Sequence, residues 1–130
     1  MSSATILLVE DHPLNLALFR ILLEHTGHEV LEATDLNQAR DHLARGVPHL
    51  ALLDINVPGG GGEVLLKEMR ADPRFDGVPI VAVTAMAMSG DRERLLAVGF
   101  DGYVSKPVDT RGFAALVERF LVNGRNAPQP

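Results

Sequence analysis

Short, continuously apolar runs alternate along this chain with longer segments in which apolar residues recur at helical spacing. A short run without polar alternation is typical of a strand that is buried on both faces of a sheet. The predicted strands are 6–9, 30–33, 50–53, 80–83 and 102–105, and the predicted helices are 13–25, 35–45, 63–71, 89–98 and 109–122. This alternation favours a doubly wound α/β fold, in which five parallel strands form an open sheet flanked by five helices.

Turn and capping residues set the predicted boundaries of the helices. Pro13 suits the first turn of the first helix, and Gly27 lies just past its end. Asp35 is the predicted N-cap of the second helix, and either Asp109 or Thr110 is the predicted N-cap of the last one.

The size and composition of the chain limit what it can be. Its 130 residues suit one domain, which we assign to residues 1–122, followed by a flexible tail at 123–130. The absence of cysteine excludes disulfides and thiolate metal sites, and the net charge of −5 argues against direct binding of nucleic acid. Because the apolar run 6–9 is too short for a signal peptide or a membrane span, we expect a cytoplasmic protein that does not bind membranes.

Polar residues follow four of the predicted strands, namely Glu10 and Asp11, Asp54, Thr84, and Lys106. The carboxyl ends of parallel strands meet at one edge of a sheet, where doubly wound folds bind their ligands. If the first and third strands are neighbours, the carboxylates of Asp11 and Asp54 should lie within roughly 5 Å of each other. At an effective dielectric constant near 20 they would repel by about 3 kcal/mol, which Lys106 compensates only in part.

This balance of charges predicts a bound cation. Oxygen ligands without cysteine indicate a hard ion, and two carboxylates, a carbonyl and several waters suit Mg²⁺ better than Ca²⁺. The hydroxyl of Thr84 and the ammonium of Lys106 are suitable donors to phosphoryl oxygens. The five histidines include no pair at i, i+4 spacing, so a histidine metal site is not expected.

Four segments together resemble a known family, the response-regulator receiver domains of two-component signalling. They are ILLVEDHPLN, LALLDINVPGGGG, IVAVTAMA and GYVSKP, in that order, and the resemblance extends from about Ile6 to Leu121. It implies a flavodoxin-like sheet with strand order 2-1-3-4-5.

The resemblance also implies a role for each acidic residue. Asp54 would accept a phosphoryl group from a phosphohistidine or a small acyl phosphate. Asp11 and Asp54 would bind Mg²⁺ directly, Asn56 through its main-chain carbonyl, and Glu10 through a water molecule.

The other matching residues would hold the phosphoryl group or respond to it. Lys106 would pair with the phosphoryl group, and Thr84 would donate its hydroxyl to it. Tyr103 would turn inward when Thr84 moves, Ala85 is small enough to leave the phosphoryl group uncovered, and the bond before Pro107 would be cis.

The chain departs from the family in one loop. Three glycines at 59–61 precede the expected Gly62, which puts in doubt how firmly the loop holds Asn56. We expect the loop 56–62 to be the most mobile part of the site, and alanine to be stabilising at any of these glycines whose backbone is compatible with it.

Two other classes of protein share parts of this pattern. A phosphohydrolase of the haloacid-dehalogenase type has a second acid two residues after its nucleophile, but Asn56 occupies that place and cannot transfer protons. In a flavodoxin-like flavin carrier, Glu10 and Asp11 would repel the flavin phosphate. We therefore expect no enzyme beyond a protein that catalyses its own phosphorylation and slow dephosphorylation.

The expected partners follow from the resemblance. They are a sensor histidine kinase or a histidine phosphotransfer protein, and a downstream protein that binds the face of the fourth helix, fifth strand and fifth helix. We expect a stand-alone regulator, and the alternative is a receiver domain from a hybrid kinase or a multidomain regulator.

The first helix offers a candidate surface for docking the kinase or phosphotransfer protein. At about 100° per residue, the side predicted to face the sheet carries Asn15, Leu18, Phe19 and Leu22. The opposite side carries Leu16, Ala17, Arg20, Ile21 and Glu24. Leu16 and Ile21 would form an apolar strip there that packs on a partner helix.

Overall fold

The computed structural model describes residues 3–85 and 90–126, which form five parallel strands and five α-helices. The strands are β1 (Thr5–Val9), β2 (Glu29–Ala33), β3 (Leu50–Asp54), β4 (Ile80–Thr84) and β5 (Gly102–Ser105). The helices are α1 (Pro13–His25), α2 (Leu36–Arg45), α3 (Gly62–Arg70), α4 (Asp91–Val98) and α5 (Thr110–Asn123). The strand order is β2-β1-β3-β4-β5, which confirms the predicted fold class and order.

The sheet is buried on both faces because neighbouring residues of a strand point to opposite sides. Leu7 and Leu53 contribute to a core that α2, α3 and α4 cover, whereas Ile6 and Leu52 contribute to a core that α1 and α5 cover. These side chains are essentially inaccessible to solvent, which explains the continuous apolar runs.

Capping residues fix the helix ends as expected. The side chain of Asp35 accepts a hydrogen bond from the N–H of Gln38 at 2.8 Å, and that of Asp109 accepts one from the N–H of Arg111 at 3.2 Å. The N-cap of α5 is therefore Asp109 rather than Thr110. The predicted start of α4 at Ser89 lies outside the described residues, and the helix is described from Asp91.

Two segments predicted to be irregular contain short 3₁₀ turns. Pro73–Phe75 forms one within the predicted loop after α3, and Gly124–Asn126 forms another directly after α5. Regular structure therefore continues three residues beyond α5, into the segment that we assigned to a flexible tail. Residues 127–130 lie outside the described part of the chain, so the flexibility of the tail stays a prediction.

The rotation of α1 about its axis differs from the predicted one. Phe19 and Leu23 are its buried residues, and the ring of Phe19 lies 5.2 Å from that of Phe113 on α5. Leu16, one turn before Phe19, packs onto the same core, so its placement on the exposed side was wrong. Leu18 is 38% exposed, so its placement towards the sheet was wrong as well.

The apolar residues that α1 does expose are Leu14, Leu18 and Ile21. Their i, i+4, i+7 spacing puts them on one face, which we call the α1 stripe. Ile21, which is 58% exposed, is the only residue common to the stripe and the predicted docking strip. Within the described residues, every helix is too short or too polar to cross a membrane.

Candidate functional site

The carboxyl edge of the sheet brings together the polar residues that follow its strands. Glu10, Asp54 and Thr84 are buried, Lys106 is half-buried, and Asp11 is exposed at the mouth of the site. Glu10, Asp11 and Asp54 form an acidic cluster in which one carboxylate oxygen from each residue lies within 4.8 Å of those from the other two. The expected proximity of Asp11 and Asp54 is therefore confirmed, and it follows from the pairing of β1 with β3.

Lys106 joins the two buried acids of the cluster. Its Nζ lies 3.0 Å from Oδ2 of Asp54 and 2.9 Å from Oε1 of Glu10. Burial raises the pKa of Glu10 above its ordinary value, although the hydrogen bond from Lys106 opposes this shift. Burial alone would lower the pKa of Lys106, but the bonds to Glu10 and Asp54 hold it above its ordinary value. One ammonium therefore serves two buried carboxylates.

The sequence did not reveal that Lys106 pairs directly with Glu10. The only signal is that Glu10 directly follows β1, which places its side chain inside the site rather than at the mouth. The pairing leaves the acidic cluster with three carboxylates and one compensating ammonium.

The donor set of the cluster fits a hard divalent cation. It offers carboxylate oxygens from three residues, at distances from one another that one ion can span. A second cation at this edge would relieve the repulsion that Lys106 leaves. The acidic cluster is the one group of three acidic or histidine residues with such an arrangement in the described part of the chain.

The loop after β3 supplies a second donor to Asp54. The N–H of Asn56 donates a hydrogen bond to Oδ1 of Asp54 at 2.9 Å, while Lys106 holds Oδ2. Each oxygen of the carboxylate therefore has its own donor, which fixes the orientation of the group. The side chain of Asn56 itself is exposed.

The glycines of this loop have a backbone that does not suit alanine. Gly59, Gly60 and Gly61 all have positive φ angles, of 105°, 118° and 83°. The stabilisation expected from alanine at a compatible position therefore does not apply to them. The expected mobility of the loop stays a prediction.

Thr84 and Tyr103 occupy neighbouring strands. Thr84 ends β4 and lies beside Ser105 of β5, and its carbonyl accepts a hydrogen bond from the N–H of Lys106 at 2.8 Å. Tyr103 is half-buried and packs against the core beneath α3 and α4. Ala85, directly after Thr84, is exposed.

The bond between Lys106 and Pro107 is cis, as the resemblance implied. It lies directly after β5, and the side chain of Lys106 contacts Glu10 and Asp54 from this position.

Comparison with known proteins gives one consistent family. The family described as the response regulator receiver domain matches residues 6–118. The polar-differentiation response regulator DivK of Brucella anthropi is 35% identical over 117 residues, which cover 90% of this chain and 95% of DivK.

Solved structures give the same result. The receiver domain of a sensor histidine kinase from Pseudomonas aeruginosa is 32% identical, with a TM-score of 0.84 over 93% of this chain and 99% of that domain. That structure is described with a magnesium ion coordinated in its active-site cleft. A putative response regulator from Chloroflexus aurantiacus shares the fold, with a TM-score of 0.87 at 24% identity over 93% of this chain and 99% of that protein.

Proposed function

The chain belongs to the family of response regulator receiver domains, and from that premise we propose that Asp54 accepts a phosphoryl group in a Mg²⁺-dependent reaction. The observation that carries this proposal is the setting of Asp54. Its carboxylate is buried at the carboxyl edge, each of its oxygens has one donor, and two further carboxylates lie beside it.

The chemistry follows from this arrangement. An oxygen of Asp54 attacks the phosphorus of the donor, and the bond to the donor's nitrogen or acyl oxygen breaks with its electron pair. Mg²⁺, when bound, neutralises negative charge shared by the acids and the phosphoryl group. Asp11 and Asp54 would hold the ion directly, Asn56 through its carbonyl, and Glu10 through a water molecule.

Lys106 and Thr84 act on the product of this reaction. The ammonium of Lys106 already lies 3.0 Å from Asp54 and would pair with the phosphoryl oxygens. The hydroxyl of Thr84 would donate to the same group, and the side chain of Tyr103 would move into the space that Thr84 leaves. The face of α4, β5 and α5 would change shape and alter binding of a downstream protein.

Receiver domains receive phosphate from histidine kinases or phosphotransfer proteins, and we propose that the α1 stripe docks that partner. Its residues Leu14 and Ile21 are 76% and 58% exposed, although both are large and apolar. The helix begins two residues after Asp11, which places its first turn beside the site. Leu16 is not part of the proposed docking surface, because its side chain packs onto the core.

Intact-mass measurement with a small acyl phosphate and Mg²⁺ tests the phosphorylation site. We expect one added phosphoryl group in the wild type and none in Asp54→Asn. Addition of excess chelator should abolish the labelling, because the acidic cluster then repels an anionic donor. Labelling that persists in Asp54→Asn would show that another residue is the acceptor.

A test of the docking surface compares two phosphoryl donors, the cognate phosphorylated protein and a small acyl phosphate. Leu14→Ser with Ile21→Ser should slow transfer from the cognate phosphorylated protein and leave labelling by the acyl phosphate unchanged. Val122→Ser is the control, because Val122 is 79% exposed but lies at the end of α5. Equal loss with both donors, or no loss with the protein donor, contradicts docking on the α1 stripe.

A further inference from the structure

Gly61 joins the loop after β3 to α3 in a conformation that other residues rarely adopt. Its φ of 83° and ψ of 170° fall in a region that is essentially restricted to glycine. Its N–H donates to the carbonyl of Val57 at 3.0 Å, and its carbonyl accepts from the N–H of Val64 at 3.2 Å. Backbone hydrogen bonds therefore fix Gly61 from both sides.

The absence of a side chain at Gly61 lets the loop lie directly on the backbone after β3. A Cβ atom there would lie 2.3 Å from the carbonyl oxygen of Ile55. A Cβ atom at Gly62 would lie 2.9 Å from the carbonyl oxygen of Asp54. Both obstacles are backbone atoms, so they cannot turn aside as the end of a side chain can.

The peptide group beneath Gly61 is the one that orients the phosphoryl acceptor. The carbonyl of Ile55 and the N–H of Asn56 belong to one planar peptide group, so displacing the oxygen also redirects the N–H. That N–H donates to Oδ1 of Asp54 at 2.9 Å. Movement of Gly61 against Ile55 would therefore disturb the carboxylate of Asp54.

We propose that Gly61 is a positioning residue for phosphoryl acceptance, acting through the peptide between Ile55 and Asn56 on the carboxylate of Asp54. This inference rests on the proposed function and adds a determinant outside the strand ends. The loop that departs from the family pattern thus holds Asn56 through close backbone packing, without a side chain.

The neighbouring glycine provides a matched control. Gly60 also has a positive φ, but the atoms nearest to a Cβ atom there would all belong to the side chain of Val64, with Cγ2 at 2.7 Å, and not to the backbone after β3. Alanine at either position therefore strains the backbone, but only Gly61→Ala presses on the peptide before Asn56.

The first readout is labelling by a small acyl phosphate at saturating Mg²⁺. We expect Gly61→Ala to lower the maximal labelling rate by about 10- to 100-fold, and Gly60→Ala to lower it by less than about threefold. The donor concentration for half-maximal rate should stay the same in both. Equal slowing in the two variants would overturn the proposal.

The second readout does not depend on the reaction. In metal-free protein, the amide resonance of Asn56 should shift in Gly61→Ala and stay in place in Gly60→Ala, because only the former weakens the bond to Asp54. An unchanged resonance in Gly61→Ala overturns the proposal. If the wild type accepts no phosphoryl group, the proposed function fails while this measurement still tests the positioning.

A second variant covers the case in which Gly61→Ala does not fold. Gly62→Ala has no positive φ to strain, yet it presses on the carbonyl of Asp54. That carbonyl belongs to the peptide group between Asp54 and Ile55, so displacing it moves Ile55 and, through Ile55, the next peptide group. The variant should therefore also show slower labelling and a shifted Asn56 resonance. Wild-type behaviour in both measurements would contradict the proposal.

Discussion

The two edges of the sheet both bury charged groups, but they balance them differently. At the amino edge, the buried carboxylate of Asp101 accepts from Arg70 at 2.7 Å, from Arg125 at 3.0 Å and from the N–H of Ile80 at 2.8 Å. At the carboxyl edge, the ammonium of Lys106 pairs with Glu10 and Asp54, and Asp11 adds a third carboxylate to the acidic cluster. The carboxylate of Asp101 has two guanidinium partners, whereas the three carboxylates of the acidic cluster have one ammonium.

This difference separates a structural charge cluster from a functional one. An ion pair such as that of Arg70 with Asp101 holds chain segments together, and removing one partner is costly. A cluster with unbalanced charge is unstable by itself and gains from a ligand of opposite charge. The size of a cavity gives no such indication, since a cavity of about 630 Å³ opens at the amino edge beside His49 and Glu118.

The largest expected effect tests the structural cluster. Asp101→Ala should lower the free energy of unfolding by about 3 kcal/mol, because it leaves the half-buried guanidinium of Arg70 without its carboxylate. Burial already lowers the pKa of Arg70, and Asp101 opposes that shift. Urea unfolding measures the loss, and folded molecules should still be labelled on Asp54. A loss below about 1 kcal/mol would show that the amino edge is not held by this cluster.

A smaller loss of stability is expected at the carboxyl edge, and there we expect Mg²⁺ to restore part of it. Lys106→Met should lower the unfolding free energy of metal-free protein by about 2 kcal/mol, because two buried acids lose their common cation. Mg²⁺ should restore part of this loss, since it compensates the same carboxylates. Equal stabilisation of Asp101→Ala and Lys106→Met by Mg²⁺ would contradict the proposed difference between the two edges of the sheet.

Removing a carboxylate from the acidic cluster should raise the stability of the metal-free protein, whereas the two preceding substitutions lower it. We expect Asp54→Asn to raise the unfolding free energy of metal-free protein by about 1 kcal/mol, because relief of repulsion outweighs the weakened bond to Lys106. Thermal unfolding in chelator compares the variant with the wild type. A net loss of stability would mean that Lys106 balances the cluster better than its geometry indicates.

The smallest effect is expected for an exposed pair that belongs to neither edge. Arg40 donates to Glu68 at 2.7 Å between α2 and α3 and holds the pKa of that carboxyl below its ordinary value. Because the folded pKa is lowered, this stabilisation is complete above the ordinary pKa and is lost as pH falls through the lowered one. Glu68→Gln should cost less than about 1 kcal/mol at neutral pH, and high salt should reduce the difference. A cost that salt leaves unchanged would point to packing rather than charge.

The sequence was sufficient where local patterns decide the structure. Apolar runs located all five strands, and four of them extend by a single residue beyond the prediction. The pattern also placed Asp11 and Asp54 together, because neighbouring parallel strands end at the same edge.

The sequence was insufficient where contacts between segments far apart in the chain decide the structure. A helical wheel gives the angles between Leu16 and Leu18, but the rotation of α1 depends on how Phe19 packs against Phe113. Arg125 falls in the segment assigned to a flexible tail, and its ion pair with Asp101, 24 residues earlier in the sequence, could not be read from the local pattern. The close approach of Gly61 to the backbone after β3 likewise exists only in the folded chain.

The half-buried side chain of Tyr103 has a practical consequence for spectroscopy. It is the only tyrosine in a chain without tryptophan, so the intrinsic ultraviolet emission of the whole protein reports on one ring. That ring lies one strand from Thr84 and packs against the core beneath α3 and α4. The protein therefore carries its own optical probe on β5, and a change of its emission on phosphorylation would report the proposed movement of Tyr103 in real time without an attached dye.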